Sequence, residues 1–258
     1  MYPDDTRFAW FENFQTVASD EAMRAAIKNS VMLTTGVVFF STAFGLLLAL
    51  LLDRKFRGRA LLRILVITPF LITPVAAALI WKHIIFNPMY GIVNGFATQI
   101  YQKFGGDSVV VIDFISQRPL VAIAVPMIWQ WTPFMFLILL AGLLSLPKEP
   151  FMAAAIDGAS AWKTFARVTF PMMAPISIGA IMIRLIDASK IFDSVFTMTR
   201  GGPGNATETP AAYIFQRSLQ DFQIAYGSTL ALMYLILAIL TLTIIGKVFA
   251  RLSKPRGI

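Results

Sequence analysis

The chain has 258 residues, 57% of them hydrophobic and only 14% charged, against roughly 25% charge in a typical soluble domain. Water is therefore not its main solvent. The net charge of +8 suits either nucleic acid or a membrane surface, and the absence of cysteine excludes disulfides, thiolate metal sites and thiol catalysis.

A membrane span needs about 20 largely apolar residues, because a rise of 1.5 Å per residue must cover about 30 Å of hydrocarbon. Five segments meet that requirement: 29–52, 64–83, 120–146, 171–199 and 226–248. The expected fold is therefore all-α, a polytopic helical membrane protein with residues 1–258 forming one transmembrane domain. None of the five segments looks like a cleavable signal peptide, since a polar, acidic stretch precedes the first.

In the first span Ser41, Gly45 and Ala49 recur every four residues, leaving one thin helix face against which a neighbouring backbone can pack. Pro69 and Pro74 in the second span, and Pro126 and Pro133 in the third, each remove a backbone donor. Such breaks suit either a helix that lines a pathway or an ordinary Pro-rich membrane helix. Trp129 and Gln130, between the two prolines of the third span, join the candidate pathway residues. In the fourth span Arg184, Asp187 and Lys190 follow at three-residue intervals, with Asp193 three further on. Each charge is costly at mid-membrane, about 2.5–3.5 kcal/mol, so this set should face a polar cavity or pair along one helix face. It fits a translocation pathway, or a self-neutralised cluster near the outer interface.

The positions of Lys and Arg set the orientation. Arg54, Lys55, Arg57, Arg59 and Arg63 lie between the first two spans, Lys148, Lys163 and Arg167 follow the third, and Lys247, Arg251, Lys254 and Arg256 close the chain. These twelve cations share one side with only Asp53, Glu149 and Asp157, whereas the cations of the other side are balanced by acids. The basic excess is thus topological, with no nucleic-acid footprint, and the C-terminus is expected in the cytoplasm. On the outer side, Phe8, Trp10, Phe11 and Phe14 precede the first span, and Val93, Phe96, Ile100, Tyr101 and Phe104 form a helical stripe. That stripe fits a helix lying on the membrane or a short helix packed on its own bundle.

The cytoplasmic loop 147–170 is the most specific segment. Pro150 suits a helix start, Met152 to Ile156 are good helix formers, and Gly158 suits a left-handed stop. Ser160 can cap a second short helix on which Trp162, Phe165 and Thr169 share a face. Two short helices joined at Asp157-Gly158 make a knob that fits a groove in another protein, or a loop packed on its own bundle.

Leu146 to Pro171, with Ala153, Ala154, Asp157, Gly158, Ala159, Trp162 and Phe165 in register, resembles the EAA motif of binding-protein-dependent ABC import permeases. The resemblance departs at Met152, where that family carries glutamate. Ile186 to Thr209, Trp10 to Phe14 and Ala25 to Val31 are similar to the carbohydrate-transport branch. The resemblance implies a non-catalytic subunit of the bacterial inner membrane, paired with a second homologous permease, two cytoplasmic ATP-binding subunits and a periplasmic solute-binding protein. It implies transport of a sugar, polyol or related glycoside, with ATP and Mg bound by the partner ATPases and no cofactor, metal or catalytic residue in this chain. It also implies six core spans, the first lying upstream of this sequence. The chain itself carries neither a phosphate-binding G-x-x-x-x-G-K-[ST] loop nor, with His83 its one histidine, a multi-histidine metal site. An ion-gradient-driven secondary transporter is the rival expectation, with Asp187 and Asp193 as its candidate carboxylates.

Overall fold

The computed structural model describes residues 11–252, all helix and connecting turns with no strand among them. The helices are α1 (Glu12–Ser19), α2 (Glu21–Asp53), α3 (Arg59–Ile67), α4 (Pro74–Ile80), α5 (Ile92–Lys103), α6 (Phe114–Gln117), α7 (Pro119–Leu144), α8 (Glu149–Ile156), α9 (Ala161–Thr164), α10 (Phe170–Ala188), α11 (Asp193–Met198), α12 (Pro210–Phe215) and α13 (Ile224–Leu252). Phe8, Trp10, Lys254 and Arg256, named above, lie outside the described residues.

Four helical stretches are long and apolar enough to cross a membrane: Glu21–Asp53, Pro119–Leu144, Ala161–Ala188 and Ile224–Arg251. The second expected span is not a straight helix. Its legs, Arg59–Leu71 and Pro74–Ile85, meet at 98°. The residue before a proline is pushed out of the helical region, and Thr73, before Pro74, is extended at φ −64° and ψ 146°. Pro126 and Pro133 do not act this way, since α7 runs through both without interruption.

The fourth expected span, 171–199, also differs: α10 stops at Ala188, and 189–199 form a turn and the short α11. The carbonyls freed at that end are met by hydroxyls from distant segments. Thr34 Oγ1 donates to the Ala188 carbonyl at 3.1 Å, Tyr234 to Ser189 at 2.7 Å and Thr209 Oγ1 to Ile191 at 3.0 Å. A helix can end inside an apolar environment only when such partners are supplied.

The chain divides into two compact units. One comprises the described residues up to Val37, Ile72–Met127 and Asp187–Thr241. Its core packs Val17, Met23 and Ala26 with Tyr213 and Leu230. The other comprises Val38–Leu71, Ile128–Ile186 and the described residues after Thr241. In its core Ala49 and Leu52 pack with Met135, Phe136, Leu139, Leu140, Met173 and Ala180. Gly45 allows α2 to approach α7 here, because a Cβ on it would stand 2.6 Å from Met135 Cβ and 2.9 Å from the Phe136 backbone nitrogen. The thin face expected around Gly45 is therefore a packing face.

Candidate functional site

The loop 147–170 begins with α8, whose first turn holds Glu149 and Pro150, a residue that needs no N–H partner there. Its far end is closed by two backbone bonds, from Ala159 N–H to the Ala154 carbonyl at 2.9 Å and from Gly158 N–H to the Ala155 carbonyl at 3.1 Å. That pair, with Gly158 at φ +67°, is a Schellman stop. The left-handed turn expected at Gly158 is present.

Ser160 caps α9, its Oγ accepting from the Lys163 amide at 3.4 Å. The expected second short helix, however, does not end. A π-helical turn, Phe165–Thr169, carries α9 directly into α10, so Ala161–Ala188 is one helical stretch. The knob is consequently α8 plus the exposed tip of a long helix. Of the seven loop residues singled out in the sequence, Ala154 is buried, Ala159 and Phe165 are half-buried, and Ala153, Asp157, Gly158 and Trp162 are exposed. Ile156 is 87% exposed and Trp162 75%, and Met152 joins them. Trp162 lies 5.7 Å from Phe165, which lies 6.1 Å from Phe170. An exposed apolar surface on a loop that also carries Lys148, Lys163 and Arg167 is suited to docking.

The candidate pathway residues separate. Arg184 is fully buried, its guanidinium carbon 4.2 Å from the centre of the Trp131 ring. Trp131 meets Phe70 and Phe134 edge-on at 5.5 and 5.9 Å. Gln130 is buried, and Trp129 is partly exposed. Asp187 is half-buried in the last turn of α10, whereas Lys190 and Asp193 lie beyond its end and are exposed. Lys190 thus does not continue a helix face with Arg184 and Asp187. The spacing predicted one, but the helix stops two residues too early.

Sequence reasoning missed two polar centres. Asp20 accepts from the Ala22 and Met23 amides at 2.9 and 3.1 Å, capping α2, and its other oxygen accepts from Tyr213 at 2.7 Å and from Tyr226. Burial pushes the Asp20 carboxyl up, but those hydrogen bonds outweigh it and hold the group below its ordinary range. Glu208 is buried beside this centre, and desolvation raises it against the opposing pull of Arg217. The Glu208 backbone carbonyl accepts from Asn29 Nδ2 at 3.1 Å. In the second centre Asn94, buried on α5, donates to the carbonyls of Asn87, Pro88 and Ile112 and accepts from the Ile112 amide. A capping Asp before a long apolar run was a readable signal for the first centre; nothing local marks the second. Among the described residues no three His, Asp or Glu side chains gather closely enough to hold a metal ion.

Residues 41–256 match the family of binding-protein-dependent transport system inner membrane components. The trehalose/maltose transport system permease protein MalF of Thermococcus litoralis is 33% identical over 211 residues, covering 81% of this chain and 68% of that one. The sulfoquinovosyl glycerol transport system permease protein SmoG of Agrobacterium fabrum is 32% identical over 224 residues, covering 87% and 71%. The trehalose transport system permease protein SugA of Mycobacterium tuberculosis is 31% identical over 231 residues, covering 90% and 71%. Among solved structures, a bacterial ABC transporter that imports the acidic polysaccharide alginate superposes with a TM-score of 0.84 at 21% identity, covering 97% of this chain and 86% of that one.

Proposed function

The chain belongs to the family of binding-protein-dependent transport system inner membrane components, and from that membership we propose that its cargo is a sugar, a polyol or a related glycoside. It is a permease subunit of an ABC importer, and that standing disfavours the ion-gradient-driven alternative. The relatives' names support a carbohydrate cargo, trehalose and maltose in one and a sulfoquinovosyl glycerol in another.

In this reading the subunit performs no catalysis. It works with a second, homologous permease, two cytoplasmic ATP-binding subunits that hold ATP and Mg, and a periplasmic solute-binding protein. Loops 54–63 and 147–170 and the C-terminus face the cytoplasm, in line with the Lys/Arg distribution. Closure of the ATP-binding subunits is received at α8 and its stop, Ala153, Ala154, Asp157, Gly158 and Ala159, with Trp162 and Phe165 beside them. Arg184, Asp187, Lys190, Asp193, Trp129 and Gln130 serve the pathway. The observation that supports the coupling role is α8 itself, closed at its end by two backbone hydrogen bonds yet exposing Met152 and Ile156.

The test is reconstitution of the whole complex in proteoliposomes with its binding protein, after identification of what that protein retains. Uptake of the retained carbohydrate should require ATP; uptake driven by an ion gradient without ATP overturns the reading. For orientation, a cysteine in place of Arg57 should be labelled from the cytoplasmic side alone.

A further inference from the structure

The last two turns of α2, the connection after it and α3 line an apolar pocket of about 330 Å³ that is open to the surroundings. Its walls are Leu48, Leu51, Leu52, Phe56, Leu62 and Val66, with no polar side chain among them. The volume lies at the lower edge of the range for ligand pockets. An apolar lining offers water no hydrogen bonds, so the natural occupant is hydrocarbon.

The segment that builds the pocket is also the most basic in the chain. Arg54, Lys55, Arg57, Arg59 and Arg63 fall within ten residues, against the single acid Asp53. Two of these cations are fixed at the end of α2: Arg63 donates to the carbonyl of Leu52, itself a pocket wall, at 2.9 Å, and Arg59 to that of Asp53 at 3.2 Å. Lys55 and Arg57 flank Phe56, another wall, and both are exposed. Among the described residues none of the five makes an ion pair.

A hydrocarbon-sized pocket rimmed by unneutralised cations has the chemistry of a lipid with an acidic headgroup. We propose that this site binds an anionic phospholipid of the cytoplasmic leaflet, one acyl chain entering between Leu48, Leu52, Phe56 and Leu62 and the phosphate held by Lys55, Arg57 and Arg63. A zwitterionic lipid can fill the pocket equally well but gains little from the rim. The leaflet assignment rests on the cytoplasmic reading of loop 54–63, and the binding chemistry does not. Juxtamembrane cations each contribute about fivefold to affinity for an anionic surface.

The experiment is native mass spectrometry of the assembled transporter from detergent micelles, titrated with phosphatidylglycerol or phosphatidylcholine. Phosphatidylglycerol should be retained in preference. The preference should fall by about 25-fold in the double variant Lys55→Gln/Arg57→Gln, two cations being removed. Leu62→Trp, which fills the pocket, should lower retention of both lipids. Should the double variant not assemble, the unmodified transporter still decides: raising salt from 0.1 to 0.5 M must release phosphatidylglycerol selectively. Equal retention of the two lipids, or a salt-insensitive preference, overturns the proposal. So does efficient cross-linking of a cysteine at position 62 to the second permease, which makes the pocket a protein interface. Micelles have no leaflets, so periplasmic labelling at position 57 defeats the orientation reading while leaving the lipid result to stand.

Discussion

Substitution of Gly158 separates backbone conformation from surface shape in the coupling loop. Gly158 sits at φ +67°, and a Cβ built on it meets no heavy atom within 4 Å. A new side chain therefore collides with nothing, and the cost is that of holding an L-residue in the left-handed region, about 1–2 kcal/mol. Asn tolerates that region better than other residues, and a β-branched residue tolerates it worst, toward about 3 kcal/mol. With tenfold per 1.4 kcal/mol, Gly158→Asn should lower the population of the closed stop only slightly, Gly158→Ala about 5- to 25-fold and Gly158→Val about 100-fold. α8 has eight residues, too few to persist as a helix without its stop and its tertiary contacts. Binding-protein-stimulated ATP hydrolysis by the reconstituted complex should fall in the order Asn, Ala, Val, while the yield of assembled complex stays level. Normal stimulation in Gly158→Val would refute the coupling role of this stop. Equal damage from Asn and Val would show that surface shape, not backbone, matters.

Gly45→Ala should destabilise the fold by about 1–3 kcal/mol, read as lower assembled yield and a lower unfolding temperature, because the added carbon stands 2.6 Å from Met135 Cβ. Gly36→Ala, with open space around it, should be neutral or mildly stabilising, and equal effects at the two sites would contradict the close approach at Gly45. Arg184→Lys and Trp131→Leu should couple by about 0.5–2 kcal/mol in a double-mutant cycle on thermal stability, since a desolvated guanidinium lies over the indole. Additivity within error would refute that contact, and the exposed Lys190→Met should change little. Asp20 is depressed below its ordinary 3.8, so its stabilisation is full above that value and is lost only as pH falls through the lower folded value. The loss in Asp20→Asn should therefore be flat between pH 5 and 8. Glu208 is raised from 4.5, so its ionisation penalises the fold above its folded value and not below 4.5; the gain in Glu208→Gln should shrink as pH falls, and a constant gain would refute its burial as a carboxylate.

What the sequence reveals is whatever a local stretch decides by itself. The uncharged run 29–52 has one possible environment, and α2 contains all of it. Pro150 and Gly158 act through their own φ preferences, so α8 starts and stops where they stand. Prolines are ambiguous when the outcome depends on neighbours: Pro74 follows a bend of 98°, yet Pro126, Pro133 and Pro175 remain inside helices. The end of α10 at Ala188 is the clearest illegible feature. Its apolar pattern and charge spacing continue, and the stop is made possible by Thr34 and Tyr234, 154 and 45 residues away from the carbonyls they cap. Such long-range hydroxyls carry no local signature, which is why Lys190 was expected on a helix that never reaches it.

The aromatic side of α5 is the side that the fold leaves exposed. Asn94 is buried and Thr98 half-buried, and both hydrogen-bond to the chain at 110–112, while Phe96, Ile100 and Tyr101 are exposed. A helix packed on its own bundle would bury the aromatic stripe and leave Asn94 to water. This helix does the reverse, and in water the exposed rings would forgo their burial, worth about 1.5–3 kcal/mol each. The same inversion holds on α2, where exposed Phe40 meets Phe39 edge-on at 5.2 Å and stacks on Phe44 at 6.1 Å. It holds again where Arg184 is buried under Trp131. An inverted pattern suits an apolar outer medium, so a cysteine in place of Phe96 should be shielded from water-soluble reagents in the membrane, and free labelling there would refute a surface-lying α5.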